Sequence, residues 1–211
     1  VPQRRTQQQR REETRAKLIE ASFELIRDKG ASSFTTAEVA NVAGLTRGAI
    51  QYHYSDPYEL LREVVFKVVR DMSTQIDAPD LLQYARHERL ERVVDIYWQG
   101  YRSDTYAVFM ELAVHGRLNP NLSGAIKDAL SVLETERDAQ WLLLLADFAG
   151  TNAEKVSWRS SLLVILRGMA LKQMFADTEG DIDRIFKVVR DNYIRSVCIQ
   201  AGMITVSDVI N

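Results

Sequence analysis

Between Thr46 and His53 the chain sets four hydrogen-bonding side chains, Arg47, Gln51, Tyr52 and His53, around two of the smallest residues, Gly48 and Ala49. An arginine so placed can donate two parallel bonds to guanine O6 and N7, and an alanine methyl can touch the thymine methyl group. Gly48 lets the backbone come close to a groove floor. Thr35, Thr36 and Thr46, together with Gln51, Tyr52 and His53, carry groups suited to phosphate oxygens, contacts that position a protein on a duplex without reading its sequence. The expectation is that the segment around Arg47 and Ala49 reads bases while its surroundings grip the backbone.

Other chemistries find less support. No glycine-rich phosphate loop, nucleophile elbow or metal-ligand spacing occurs in the sequence. His115 follows Glu111 by four residues, but two ligands on one helical turn make no metal site, and His53 and His87 lie elsewhere. Cys198 is the only cysteine and sits in a largely apolar helical stretch, so it is expected to be a structural thiol in a reducing compartment. No enzyme, cofactor or metal is expected.

The elements that must hold Arg47 in place are written in caps and turns. A first helix, about Glu12 to Lys29, puts Leu18, Ala21, Ser22, Leu25 and Ile26 on one face and ends at Gly30. Thr35-Thr36-Ala37-Glu38 spells a capping box that starts a second helix. Ala43-Gly44-Leu45 breaks it, because Gly44 can adopt the left-handed conformation of a tight inter-helix turn. Thr46 then caps a third helix running to about Tyr54. Asp56, Pro57 and Glu59 start a fourth, with Leu60, Leu61, Val64, Val65, Val68, Val69 and Met72 as its apolar face. Val39, Ala40, Ala43, Leu45 and Ile50 can close a small core beneath the polar face. A short turn between the second and third helices is the arrangement that presents a recognition helix to the major groove. Spacing alone also allows a generic three-helix packing unit.

These residues resemble the TetR family of helix-turn-helix transcriptional regulators. The family pattern of a small residue, Ala-Gly, a hydrophobic residue, Ser/Thr, a variable residue and Gly reads here as Val39-Ala40-Asn41-Val42-Ala43-Gly44-Leu45-Thr46-Arg47-Gly48-Ala49-Ile50. It continues through Tyr52-His53-Tyr54 and Leu60-Leu61, so that about residues 12 to 72 carry the likeness. Gln51 departs from a frequent tyrosine. Pro57 departs from a frequent lysine that contacts phosphate, which would remove about one unit of salt dependence.

The remainder reads as helices at about 88–102, 105–117, 121–148, 154–176 and 181–201, with breaks at Asn119-Pro120, Gly150-Thr151-Asn152 and Thr178-Glu179-Gly180. The fold class is all-α, about nine helices. The expected organisation is a basic arm at 1–11, a DNA-binding domain at 12–56, a connecting helix at 57–78 and a ligand-binding and dimerisation domain at 79–211. Arg4, Arg5, Arg10, Arg11, Arg15 and Lys17 could enter a minor groove or remain a solvated tail.

The resemblance implies that the larger part binds a small-molecule effector and forms a homodimer. Trp98, Tyr101, Tyr106, Phe109, Met110, His115, Trp141 and Phe148 are the ligand candidates, with core packing as the alternative. Arg102 or Arg117, if turned inward, would favour an acidic ligand. Leu162, Leu163, Leu166, Met169, Ile185 and Val189 are the dimer candidates, unless these faces close the core of one protomer. A dimer places two recognition helices about 34 Å apart on a palindromic operator, and the resemblance implies repression relieved by ligand.

Bulk properties agree with such a protein. Residues 1–50 hold nine Lys/Arg against six Asp/Glu, and the remainder 18 against 23, a basic head on an acidic body. No secretory signal is read and the longest apolar stretches are short or interrupted by Arg167, so a cytoplasmic location without membrane contact is expected.

Overall fold

The computed structural model describes residues 6–73, 78–175 and 179–205. They form ten α-helices: α1 (Gln7–Lys29), α2 (Thr36–Ala43), α3 (Arg47–His53), α4 (Pro57–Ser73), α5 (Ala78–Leu82), α6 (Arg86–Tyr101), α7 (Asp104–Gly116), α8 (Pro120–Leu144), α9 (Asn152–Gln173) and α10 (Glu179–Gln200). One 3-10 turn, Ala31–Ser33, joins α1 to α2, and no strand occurs among the described residues. The helix count exceeds the expected nine by the short α5. None of the described helices is long and apolar enough to cross a membrane.

The chain clusters into two compact units that interleave in sequence. One holds residues 1–72 and 104–133, the other 73–103 and 134–211. Residues 104–133, grouped with the larger part on sequence grounds, therefore pack with the N-terminal helices.

In the first unit, Leu18, Leu25 and Ile26 of α1 meet Val39 and Ala40 of α2, Ile50 of α3, Leu60, Val64 and Val68 of α4, and Val108 and Leu112 of α7 in one core. Ser22 is fully buried among them, and its hydroxyl donates to Leu18 O one turn back (2.7 Å), so no polar group is stranded. Gly116 permits α7 to meet the start of α8, since a methyl there would lie 2.9 Å from Ile126 Cδ1. A carboxylate oxygen of Glu111 on α7 accepts from the backbone N–H of Ala31 (3.0 Å), where α1 gives way to the 3-10 turn.

Two helix boundaries differ from expectation for readable reasons. The first helix starts at Gln7, not Glu12, because Thr6 and Gln9 form a capping box, so residues 7–11 are helix rather than arm. Arg4 and Arg5 lie outside the described residues. Helix α8 ends at Leu144, not near 148, where the Arg89 guanidinium donates to Leu144 O (2.7 Å) and to both oxygens of Asp147 (2.8 and 3.1 Å). A cation on the terminal carbonyls competes with further helical bonds and stabilises that end.

The second unit is laced by charged side chains. Arg190 on α10 holds Asp95 on α6 bidentately (2.6 and 2.9 Å), and Arg159 on α9, almost wholly buried, engages Glu134 and Asp138 of α8. Burial opposes the Arg159 charge, but the hydrogen bond to Glu134 and the surrounding tyrosine and carboxylates hold it firmly protonated. Trp141 Nε1 donates to Lys155 O (2.7 Å), and Tyr193 donates to Trp158 O (2.9 Å).

Candidate nucleic-acid interface

Helix α2 begins where Thr35, in extended backbone, accepts the Glu38 N–H on its hydroxyl oxygen (3.2 Å). Only this half of the expected box forms. The Glu38 carboxylate goes instead to Lys29 Nζ (3.1 Å) at the end of α1, an ionic partner stronger than a backbone amide. At the other end Gly44 is left-handed, with φ 61° and ψ 37°. Leu45 N–H reaches Ala40 O (2.9 Å) and Gly44 N–H reaches Asn41 O (3.1 Å), the paired bonds that close a helix C-terminus and turn the chain sharply.

Thr46 caps α3 through its oxygen to Ala49 N–H (3.2 Å). The capping hydroxyls of Thr35 and Thr46 act as acceptors, which leaves each O–H proton available to an outside acceptor. The helix α3 is fixed from below by residues one turn apart: Ile50 is fully buried, and Tyr54, the C-terminal cap, is buried too. Tyr54 donates to Glu63 Oε2 on α4 (2.6 Å), while Arg15 on α1 pairs with Glu63 and lies 4.7 Å over the Tyr54 ring. Burial, then the Glu63 carboxylate, pushes the Tyr54 phenol well above its usual range. This three-way clasp joins α1, α3 and α4, and sequence reasoning missed it because its members lie up to 48 residues apart.

The opposite face of α3 is open. Arg47, Gly48, Gln51 and Tyr52 are exposed, Tyr52 to 72%. Arg47, Gln51 and the Tyr52 hydroxyl make no hydrogen bond or ion pair among the described residues. Positions 47 and 51, like 48 and 52, are one turn apart, so the four share a face. Ala49 and His53 are half-buried at its margin, and Thr35 and Thr36 lie at the start of α2. The Tyr52 and His53 rings meet edge to face, with centroids 5.2 Å apart. His53 Nδ1 is sealed from solvent without a hydrogen-bond partner. Burial, and then the Arg11 and Arg15 charges, hold His53 below its usual value of 6.5. Pro57 does open α4, as expected; Asp56 caps Tyr58 N–H (2.9 Å), and Glu59 reaches back to Ser55 N–H (3.2 Å) rather than to Asp56.

The ligand candidates fall into both units. Trp98, Tyr101, Trp141 and Phe148 are buried in the second, where Trp98 stacks on Phe186 (5.0 Å between centroids) and Trp141 packs against Tyr97. In the first, Tyr106 is buried beside half-buried Phe109 (6.0 Å), Met110 is half-buried and His115 is exposed. Arg102 does not reach inward as a free cation, since it holds Asp183 (2.8 Å), and Arg117 is exposed. No cluster of three His, Cys, Asp or Glu able to hold a metal occurs among the described residues.

Four dimer candidates face the wrong way. Leu162, Leu163, Leu166 and Met169 are buried within the protomer, closing its core. Apolar residues occupy more than one side of α9, so periodicity did not mark the inner stripe. Outward on α9 are Val164, Ile165 and Leu171, and on α10 Ile185 and Val188 are exposed, with Val189 at the edge.

The family profile "Bacterial regulatory proteins, tetR family" matches residues 18–64, the stretch that holds the turn, α3 and most of α4. The transcriptional regulator CymR of Pseudomonas putida is 24% identical over 92% of this chain and 98% of its own. TtgR, from another strain of that species, is 39% identical over 62 residues, 29% of each chain. Among solved structures, a TetR transcription regulator from Haloarcula marismortui superimposes with a TM-score of 0.69 at 14% identity, covering 88% of this chain and 98% of that one. A regulator from Saccharomonospora viridis, solved with choline, gives 0.63 at 18% identity, covering 90% and 96%. At such identities the structural likeness speaks for the fold alone. With the matched profile and the full-length relatives, the chain belongs to the TetR family of helix-turn-helix regulators, DNA-binding transcriptional regulators rather than enzymes.

Proposed function

We propose that the protein is a ligand-responsive repressor that occupies a palindromic operator as a homodimer. The observation that carries this reading is the face of α3 on which Arg47, Gln51 and Tyr52 stand exposed and unpaired above the buried Ile50. Arg47 takes a guanine, Ala49 a thymine methyl, and Gly48 allows the backbone close; Thr35, Thr36, Thr46, Gln51, Tyr52 and His53 grip phosphates. Dimerisation uses the outward faces of α9 and α10, where Ser157, Ser161, Ile165, Val189, Asn192 and Ser196 line an open groove of about 540 Å³. Two heads linked in this way multiply a weak single-head affinity.

The effector is a small molecule held in the helical body, with Trp98, Tyr101, Trp141 and Phe148 as its apolar contacts. A coupling of about 1–3 kcal/mol between ligand and operator gives a 5–150-fold loss of affinity. Selection of duplexes from a random pool by the whole chain tests the first part: an inverted repeat is expected, and the absence of any enriched repeat contradicts it. Mobility shifts with ligands that raise the thermal midpoint test the second; unchanged operator affinity with every such ligand contradicts it. A second reading, a regulator without a ligand whose body only dimerises, is favoured by the stacking of Trp98 on Phe186 and by the Trp141 Nε1 bond to Lys155 O, which use these rings as core.

A further inference from the structure

We infer that the N-terminal turns of α1 and the end of α3 form a second, purely ionic seat for the DNA backbone, in which Arg11 supplies the phosphate contact that Pro57 cannot make. The inference rests on the proposed reading of the α3 face. Gln7, Gln8, Arg10, Arg11, Thr14 and Arg15 of α1 line one side of an open cleft of about 680 Å³, and Tyr52 and His53 line the other.

Four observations show the cleft to be built for an anion. Among the described residues Arg11 forms no ion pair with a carboxylate, whereas Arg15 beside it is committed to Glu63 and the Tyr54 ring. Glu12, the one acid in the lining, is engaged by Gln8 Nε2 (3.0 Å), and Glu63 is engaged by Arg15 and Tyr54. His53 Nδ1 lacks a partner, with Arg11 and Arg15 as the nearby charges. The wall is rigid: α1 begins in a complete capping box, so Arg10 and Arg11 are carried on a helix and not on a wandering arm. A phosphodiester oxygen in this cleft accepts from Arg11, Tyr52 and, once protonated at Nδ1, His53. The lysine frequent at position 57 in the family is thereby replaced by an arginine from another helix.

A phosphate contact and a base contact differ in what their loss does. Fluorescence anisotropy of the selected duplex and of a scrambled duplex, each titrated with the whole chain between about 50 and 200 mM salt, separates them. For Arg11→Gln the slope of log affinity against log salt is expected to flatten by about 0.9 for each protomer bound, equally on both duplexes. Arg11→Lys should restore most of it. Arg11 is exposed and glutamine is nearly as good a helix former, so the thermal midpoint should not move. An unchanged slope, or a loss confined to the selected duplex, overturns the inference while leaving the reading of α3 intact. A wild-type chain that binds neither duplex overturns both.

Discussion

The two units treat their charges in opposite ways. In the second, the well-buried arginines are spent within the protomer: Arg89 on Asp147 and two carbonyls, Arg159 on Glu134 and Asp138, Arg190 on Asp95 and Glu91. In the first, Arg11 and Arg47 stand without such partners, while the aliphatic core beneath them does the holding. A cation without an internal partner contributes little to folding and is free for an external anion. The difference therefore separates structural arginines from functional ones, and it makes the second unit a poor place to look for an acidic ligand by arginine count alone.

The largest expected effect falls on the structural side. Arg159→Ala removes a buried cation from two carboxylates that keep some access to water, so a loss of about 3 kcal/mol, the low end for breaking a buried pair, is expected in denaturant unfolding. Arg47→Ala should do the reverse: unfolding free energy within about 0.5 kcal/mol of wild type, and operator affinity lower by about 1–3 kcal/mol. If Arg47→Ala unfolds as easily as Arg159→Ala, the division fails.

Two glycines sharpen the comparison inside the first unit. Gly44→Ala forces a side chain into a left-handed turn and should cost about 1–2 kcal/mol of stability. Gly48→Ala meets nothing closer than Thr46 Oγ1 at 3.9 Å, so relief of helix entropy should stabilise by about 0.5–1 kcal/mol. Its methyl nevertheless stands between backbone and groove, and operator affinity should fall. A variant that gains both stability and affinity contradicts the placing of Gly48 over DNA.

The smallest effect is a pH dependence. His53 in the free protein titrates below its usual 6.5, because burial and the neighbouring Arg11 and Arg15 disfavour the imidazolium. The unfolded chain thus binds more proton than the folded one just below 6.5, and stability falls as pH drops through that value. A phosphate beside His53 offsets the arginines and raises its pKa, so the complex takes up proton and operator affinity rises as pH falls through the same window. With His53→Gln the His53 contribution to both trends should vanish in parallel titrations.

What the sequence disclosed was local. The Thr35 and Thr46 caps, the Gly44 turn and Pro57 at the head of α4 are fixed by bonds spanning at most five residues, and all were legible in residue type and spacing. The Thr6–Gln9 box was equally local and was overlooked, which put the start of α1 five residues late. Non-local features were not legible. Glu38 turned to Lys29, Arg15 joined Glu63 and Tyr54, and residues 104–133 packed with the N-terminal helices through contacts that no window of sequence contains. In α9 the failure was one of degeneracy, since apolar residues on several sides leave the inner stripe undetermined until the neighbouring helices are known.

The central claim is that the exposed face of α3 reads bases, and its most direct test is to repeat the random-pool selection with Arg47→Ala beside the wild-type chain. The expected result is an inverted repeat from both, with one strongly preferred guanine in each half-site lost from the variant and the other positions kept. Identical selected sequences from the two proteins would contradict it.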